Sequence, residues 1–178
     1  MKPLLAVLAF AALLLSGCYT SATLLLDPTE AQHPLDDGVY VRRMATSLLD
    51  RKRVTRSADG WYVIEELNDA GGVEETARVL FNRMSLSGGR EGYVFAADDK
   101  DEDYKYGVAF AGKDGFFAVQ PDCDQALDRD AATDNGGVYD DGNSMQTVCR
   151  FSKASDLTAS LAAFADQADF GAPYKRQR

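Results

Sequence analysis

The amino-acid sequence predicts a mainly β fold, an antiparallel meander of seven or eight strands that is curved or barrel-like and carries one C-terminal α-helix. A glycine followed directly by β-branched and aromatic residues recurs along the chain, and this pairing of a turn residue with strand formers is typical of strands and hairpins. These runs cover residues 39–41, 61–64, 93–95 and 116–119. Near the C-terminus the apolar residues change to helical spacing, which predicts the single helix.

Residues 1–17 have the order of a secretory signal peptide. One positive charge at Lys2 precedes an uncharged apolar run over residues 4–15, and small residues follow it. This order is typical of a leader that is removed on export. The apolar run is too short to cross a bilayer as a helix, which needs about 20 residues.

The segment Leu15-Ser16-Gly17-Cys18 places an aliphatic residue and two small residues before a cysteine, and it resembles the lipobox of bacterial lipoproteins. The resemblance implies cleavage after Gly17, diacylglycerol on the Cys18 sulfur and usually a third acyl chain on the new amino terminus. Several chains anchor stably, whereas one chain binds only marginally. By analogy with Gram-negative sorting, Tyr19 at the next position favours the outer membrane. We therefore expect a lipid-anchored protein of the cell envelope that faces the periplasm.

Composition divides the remaining chain into three parts. Residues 18–36, rich in Ser, Thr, Asp and Pro, are predicted to be a lipidated tether, although the three leucines at 24–26 could pack on the domain or on a neighbour. Residues 37–171 are predicted to form a single β-rich domain with its helix, and residues 172–178 a basic tail. The length after cleavage suits one ordinary domain. The folded domain resembles no characterised family.

Within the domain, Lys113-Asp114-Gly115 predicts a tight hairpin, because Asp-Gly tolerates the positive φ that such turns need. Residues 73–86 fit either a helical face or a strand. The glycine pairs at 71–72 and 88–89 favour a strand over residues 77–85. A last strand over residues 147–151 is expected to carry Cys149.

The C-terminal helix is predicted to begin after Ser155, which is a suitable N-cap. Leu157, Leu161 and Phe164 fall on one helical face together with Ala165 and Ala168. The helix is expected to end near residues 170–171, because a glycine and then a proline follow.

Two cysteines remain after Cys18 is assigned to the lipid. In an exported protein, Cys123 and Cys149 are expected to form a disulfide. A zinc site is the competing hypothesis, but it lacks ligands because the only histidine is His33, in the predicted tether.

The formal net charge of −9 argues against nucleic acid as a partner, since nucleic-acid binding depends on neutralising phosphates. Most of the acidic excess falls between residues 98 and 141. One interpretation is a solvated acidic surface, and the other is a Ca²⁺ site. The EF-hand spacing is met by Asp99, Asp101 and Asp103 but fails at Tyr104, where glycine is required. We therefore predict no metal and no cofactor.

Catalysis has little support in the sequence. A Ser or Cys nucleophile needs a base, and His33 lies outside the predicted domain. Glu65 and Glu66 are adjacent on a predicted strand, so their side chains point to opposite faces. We therefore expect a non-enzymatic interaction or envelope-structural module, held on a membrane by its lipid and bound to an unknown protein or envelope partner.

Two alternatives stay open. A carboxylate-dependent hydrolase would need polar side chains that converge in a cleft. A lipocalin-like carrier of a small ligand would show a cavity lined by aromatic side chains, although the early Gly-x-Trp signature of lipocalins is absent because no residue separates Gly60 from Trp61. The candidate lining residues are Trp61, Tyr62, Tyr93, Phe95, Tyr104, Tyr106, Phe110, Phe116 and Phe117.

Overall fold

The computed structural model describes residues 19–44, 49–98, 103–112, 114–141 and 147–177. The signal peptide and Cys18 lie outside these residues, as do Asp99 and Asp101, so what the sequence predicts for them stays a prediction. The strands are β1 (Tyr19–Ser21), β2 (Gly38–Arg43), β3 (Leu49–Arg56), β4 (Tyr62–Leu67), β5 (Val73–Ser85), β6 (Glu91–Asp98), β7 (Tyr104–Gly112), β8 (Gly115–Val119), β9 (Val138–Asp140), β10 (Val148–Arg150) and β11 (Tyr174–Arg176). The helices are α1 (Ala126–Asp134) and α2 (Ala154–Ala165).

Eight strands close into an antiparallel barrel. Strands β2 to β8 form a meander in which each strand pairs with the next, and β11 completes the ring between β8 and β2. Closure pairs both edges of the meander, which would otherwise present open hydrogen-bonding groups. The predicted fold class, a barrel-like antiparallel sheet with a C-terminal helix, is confirmed. The segment that was ambiguous in the sequence is the long strand β5.

The C-terminal residues differ from the expected basic tail, because β11 is a barrel strand. Tyr174 points into the barrel and stacks on Phe116, with 4.7 Å between ring centroids. Lys175 and Arg176 remain exposed. A single buried aromatic residue among basic residues supplies the apolar contact that holds this short strand in place.

The N-terminal segment also differs from the expected tether. Strand β1 pairs in parallel with β10 and antiparallel with β7, and Tyr19 is fully buried. The chain then passes over the outside of the barrel, where Leu26 is buried, and Leu35 enters the barrel interior. The folded body therefore includes residues 19–36 and does not begin near residue 37.

Two cores follow from the alternation of side chains along the strands. The interior core fills one end of the barrel. The outer core lies between the outward faces of β5 to β7 and helix α2, whose residues Leu157, Leu161 and Phe164 are buried as the helical spacing predicts. The interior core consists of Leu35, Tyr40, Val54, Tyr62, Val79, Phe81, Phe95, Ala109, Phe116 and Tyr174.

The helices show two differences from the sequence prediction. Helix α2 follows Lys153 and ends at Ala165, about five residues earlier than expected, and Ser155 donates its hydroxyl to Asp156 rather than capping the helix. Helix α1, which the sequence did not predict, lies in the acidic segment and buries only Ala131 and Ala132. No helix of the described ranges has the length and apolar character needed to span a membrane.

Candidate ligand-binding cavity

A cavity of about 440 Å³ lies inside the barrel. This volume falls within the range of about 300 to 1,000 Å³ that is usual for small-molecule sites. We call this end of the barrel the cavity end. It contains the C-terminal ends of β2, β4, β6 and β8 and the N-terminal ends of β3, β5 and β11.

The cavity exists because the interior side chains differ in size between the two ends of the barrel. At the far end, Tyr40, Tyr62 and Phe81 fill the interior, and the Tyr62 ring meets Phe81 edge-on at 5.6 Å. Leu35 closes this end and is held by two hydrogen bonds to Tyr62. The Tyr62 hydroxyl donates to the Leu35 carbonyl at 2.8 Å, and the Leu35 N–H donates to the Tyr62 hydroxyl oxygen at 3.1 Å. The far end is therefore filled and hydrogen-bonded.

Toward the cavity end, interior positions on three strands carry alanine. The empty space is lined by Ala77 on β5, Ala97 on β6 and Ala118 on β8. Phe95, on the same face of β6 as Ala97, and Phe116 on β8 form the aromatic part of the wall. Small side chains opposite large ones leave a space that is apolar on these sides, which suits the body of a hydrophobic ligand.

The opposite wall carries a charged cluster, which we define as Arg42, Asp50, Lys52 and Glu66. Arg42 Nη2 lies 2.7 Å from Asp50 Oδ2, and Lys52 Nζ lies 2.5 Å from Glu66 Oε2. Lys52 Nζ is also 3.6 Å from Asp50 Oδ1, so it joins the two pairs. Both pairs are directly opposite each other across neighbouring strands, which is the geometry in which opposite charges stabilise a sheet.

Tyr174 joins the charged cluster to the aromatic wall. Its hydroxyl donates to Asp50 Oδ2 at 2.5 Å, and the Arg42 guanidinium lies 4.4 Å from its ring centroid. Burial raises the pKa of the Tyr174 hydroxyl well above its usual range, and the hydrogen bond to Asp50 raises it further. The hydroxyl therefore remains a donor to the carboxylate over the physiological pH range.

Two polar atoms of the cluster have spare hydrogen-bonding capacity. Arg42 Nε and Asp50 Oδ1 are buried and have no hydrogen-bond partner within the part of the chain that the structure describes. A buried donor or acceptor without a partner costs about 1–3 kcal/mol. Both residues line the cavity, but the two atoms themselves are covered, so a polar ligand group could satisfy them only after neighbouring side chains move.

The structure divides the aromatic residues that the sequence suggested as cavity lining. Phe95 and Phe116 line the cavity, whereas Tyr62 and Tyr93 belong to the filled interior. The outer core takes Trp61, Tyr104, Tyr106 and Phe110. Phe117 is paired with Phe110 across β7 and β8 and is half-buried, but it does not line the cavity.

The cluster residues and Tyr174 were not predicted as site residues. The alternation of side chains along a strand could have identified the two cations. Arg42 follows Tyr40 by two positions and Lys52 precedes Val54 by two, so each cation lies on the same strand face as a buried residue. Glu65 and Glu66 point to opposite faces, as predicted, and only Glu66 lines the cavity.

The predicted cysteine pair lies outside the barrel. Cys123 and Cys149 are fully buried at disulfide distance, with 6.1 Å between their α-carbons. The bond links the start of the α1 segment to β10, which is the strand that pairs with β1. It therefore fastens the outer layer around the N-terminal segment and does not contact the cavity.

The acidic segment is in part a helix. Asp128 on α1 accepts from the Asp122 N–H at 2.7 Å, and burial raises the pKa of the Asp128 carboxyl. Over the described ranges, no cluster of three or more His, Cys, Asp or Glu side chains is arranged to hold a metal ion.

Comparison with known proteins gave no relatives. No family model matches the chain, and neither a curated protein nor a solved structure matches it.

Proposed function

We propose that this protein is a lipid-anchored envelope protein whose barrel binds a small amphipathic molecule. The observation that carries the proposal is the interior cavity, with alanine and aromatic side chains on one side and the charged cluster on the other. Among the functions that the sequence leaves open, the small-ligand carrier is the one that requires such a cavity. The cavity therefore favours a carrier over a module that acts only through its outer surface.

The cluster indicates which polar group the ligand carries. Within the cluster two cations balance two carboxylates, and Glu75 adds a third carboxylate to the cavity lining, so an anionic ligand group would have to break an existing ion pair to find a cation. A hydroxyl or amide group, in contrast, can accept a hydrogen bond from Arg42 Nε and donate one to Asp50 Oδ1 once the side chains that cover these atoms move aside. We therefore propose a ligand with an apolar body and an uncharged polar head.

We propose binding rather than catalysis. Each carboxylate of the cluster is already bound, Asp50 by Arg42 and Tyr174 and Glu66 by Lys52. A general acid or base needs a carboxyl group that is available to the substrate. The arrangement instead fixes the direction of polar groups around an apolar space, which is the usual design of a binding site.

The lipobox resemblance supports anchoring through Cys18 and a position in the cell envelope, with the outer membrane favoured by Tyr19. The buried pair of Cys123 and Cys149 agrees with an oxidising compartment. These features support a position of the proposed binding barrel at a membrane surface.

The test uses residues 18–178 with Cys18→Ser, made without the signal peptide, so that the protein carries the described fold without acyl chains or an apolar leader. N-phenyl-1-naphthylamine is a suitable probe because its apolar aromatic body carries one N–H donor, and its fluorescence rises in apolar surroundings. We expect saturable binding that Ala97→Phe abolishes, because the new ring occupies the cavity. Ala58→Phe is the matched control, since Ala58 is exposed in the β3–β4 turn at the filled end. Equal probe binding by both variants, or no binding by the parent protein, would show that the cavity is not a ligand site.

A further inference from the structure

The predicted lipid attachment site has no spacer before the folded body. Tyr19 is fully buried and pairs in register with Cys149, and its hydroxyl donates to the Asp128 carbonyl at 2.6 Å. Consecutive α-carbons are about 3.8 Å apart, so a lipid on Cys18 is attached directly to the surface around β1. The acyl chains therefore restrict which face of the domain the membrane can meet.

Strand β1 lies at the cavity end of the barrel. Thr20 is paired with Lys105 near the start of β7, and Lys105 is paired on its other side with Ala97, which lines the cavity. Only one strand thus separates β1 from the cavity wall. A membrane held against β1 is also close to the cavity end.

The exposed apolar side chains lie in the same region. Among the described residues, the large apolar side chains that stay exposed are Leu49, Val73, Leu127 and Val138. Leu49 and Val73 begin β3 and β5 at the cavity end. Leu127, which is 65% exposed, directly precedes Asp128, whose carbonyl accepts the hydrogen bond from the Tyr19 hydroxyl. Val138 pairs with Arg150, and Arg150 pairs with Thr20.

We infer that the cavity end docks on a phospholipid bilayer, with these four side chains in contact with the lipid interface. The inference rests on the proposed lipid anchor at Cys18, and it assigns the membrane as the source of the ligand. Glu74 and Glu75 lie beside Val73 on β5, whereas Arg43 is paired with Leu49 and Arg150 with Val138. Both signs of charge therefore border these side chains, so the docked surface suits zwitterionic lipid and depends on the acyl chains to hold it there.

The test uses the full lipidated protein in phosphatidylcholine vesicles that contain a nitroxide-labelled lipid as quencher. A thiol-reactive fluorophore is placed on Val73→Cys, on Leu127→Cys and, as control, on Ser87→Cys. Ser87 is exposed in the turn between β5 and β6 at the filled end. The lipidated Cys18 and the disulfide leave the new thiol as the one available for labelling.

We expect the lipid-borne quencher to reduce fluorescence at Val73 and Leu127 several-fold more than at Ser87. Equal quenching at all three sites, or stronger quenching at Ser87, would overturn the inferred orientation. Vesicle binding by the Cys18→Ser protein equal to that of the lipidated protein would overturn the anchor and the inference with it. Because probe binding is measured without membranes and quenching without ligand, failure of the cavity and failure of the orientation are distinguishable.

Discussion

Removing the cation at the centre of the charged cluster should destabilise the fold far more than removing a cation from the outside of the barrel. Lys52→Met leaves Asp50 and Glu66 without the ammonium group that lies 3.6 Å and 2.5 Å from their oxygens. Breaking a fully buried ion pair costs about 3–5 kcal/mol. The Lys52 side chain is 18% exposed, so solvent screening lowers this cost, and we expect a loss of about 2 kcal/mol.

The neighbouring pair on the opposite face of the same two strands supplies the control. Arg53 Nη1 lies 3.0 Å from Glu65 Oε2, but the Arg53 side chain is 41% exposed. Exposed pairs contribute about 0.2–1 kcal/mol, so Arg53→Met should lower the free energy of unfolding by less than about 1 kcal/mol. Each substitution removes one positive charge, and the two residues are adjacent on β3. They differ mainly in that Lys52 points into the barrel and Arg53 points outward.

Urea unfolding of the Cys18→Ser protein measures both changes on one background. A loss of about 2 kcal/mol corresponds to a fall in Tm of roughly 4–8 °C for a domain of this size. In the double variant Lys52→Met/Glu66→Gln, part of the stability should return, because one of the two uncompensated carboxylates is removed as well. Equal losses for Lys52→Met and Arg53→Met would refute the assignment of the charged cluster to a shielded interior.

Two further predictions concern the outer core. Replacing both Cys123 and Cys149 with alanine should cost roughly 3.5 kcal/mol on the chain-entropy account, given their sequence separation of 26; an unfolding midpoint that reduction leaves unchanged would contradict this. Burial raises the pKa of Tyr106 from 10.0 to about 12, so above pH 10 the unfolded chain loses this proton before the folded one does, and stability that is constant below pH 10 should fall between pH 10 and 12. Tyr106→Phe should remove part of that decline in pH-dependent urea titrations, and an unaltered slope would count against this origin.

The sequence predicted the elements in which pattern and burial agree. Gly60 is followed by a run of aromatic and β-branched residues at 61–64, and Leu157 and Leu161 recur at helical spacing, so the strand and the helix were both visible. Helix α1 was missed because it buries only two alanines and has no apolar stripe. Strand β11 was missed because a single buried side chain, Tyr174, defines its inward face.

The cavity could be predicted only in part, because it depends on residues brought together from distant parts of the chain. Ala77, Ala97 and Ala118 are ordinary alanines in the sequence, and only the closed barrel places them around one space. Arg42 and Lys52 look like surface charges in the sequence. Only their position on the same strand faces as Tyr40 and Val54 indicates that they point into the barrel. The aromatic residues indicated the class of site but not which of them would line it.

Closure by β11 makes both edge strands of the meander, β2 and β8, depend on residues 174–176 for their second partner. A chain that stops before Tyr174 leaves β2 and β8 as open edges, and open edges pair with other chains. It also removes one wall of the cavity, together with the hydroxyl that binds Asp50. Premature termination or proteolytic trimming at this end should therefore yield an aggregation-prone product, and a purification tag is better placed in an exposed turn such as residues 87–89.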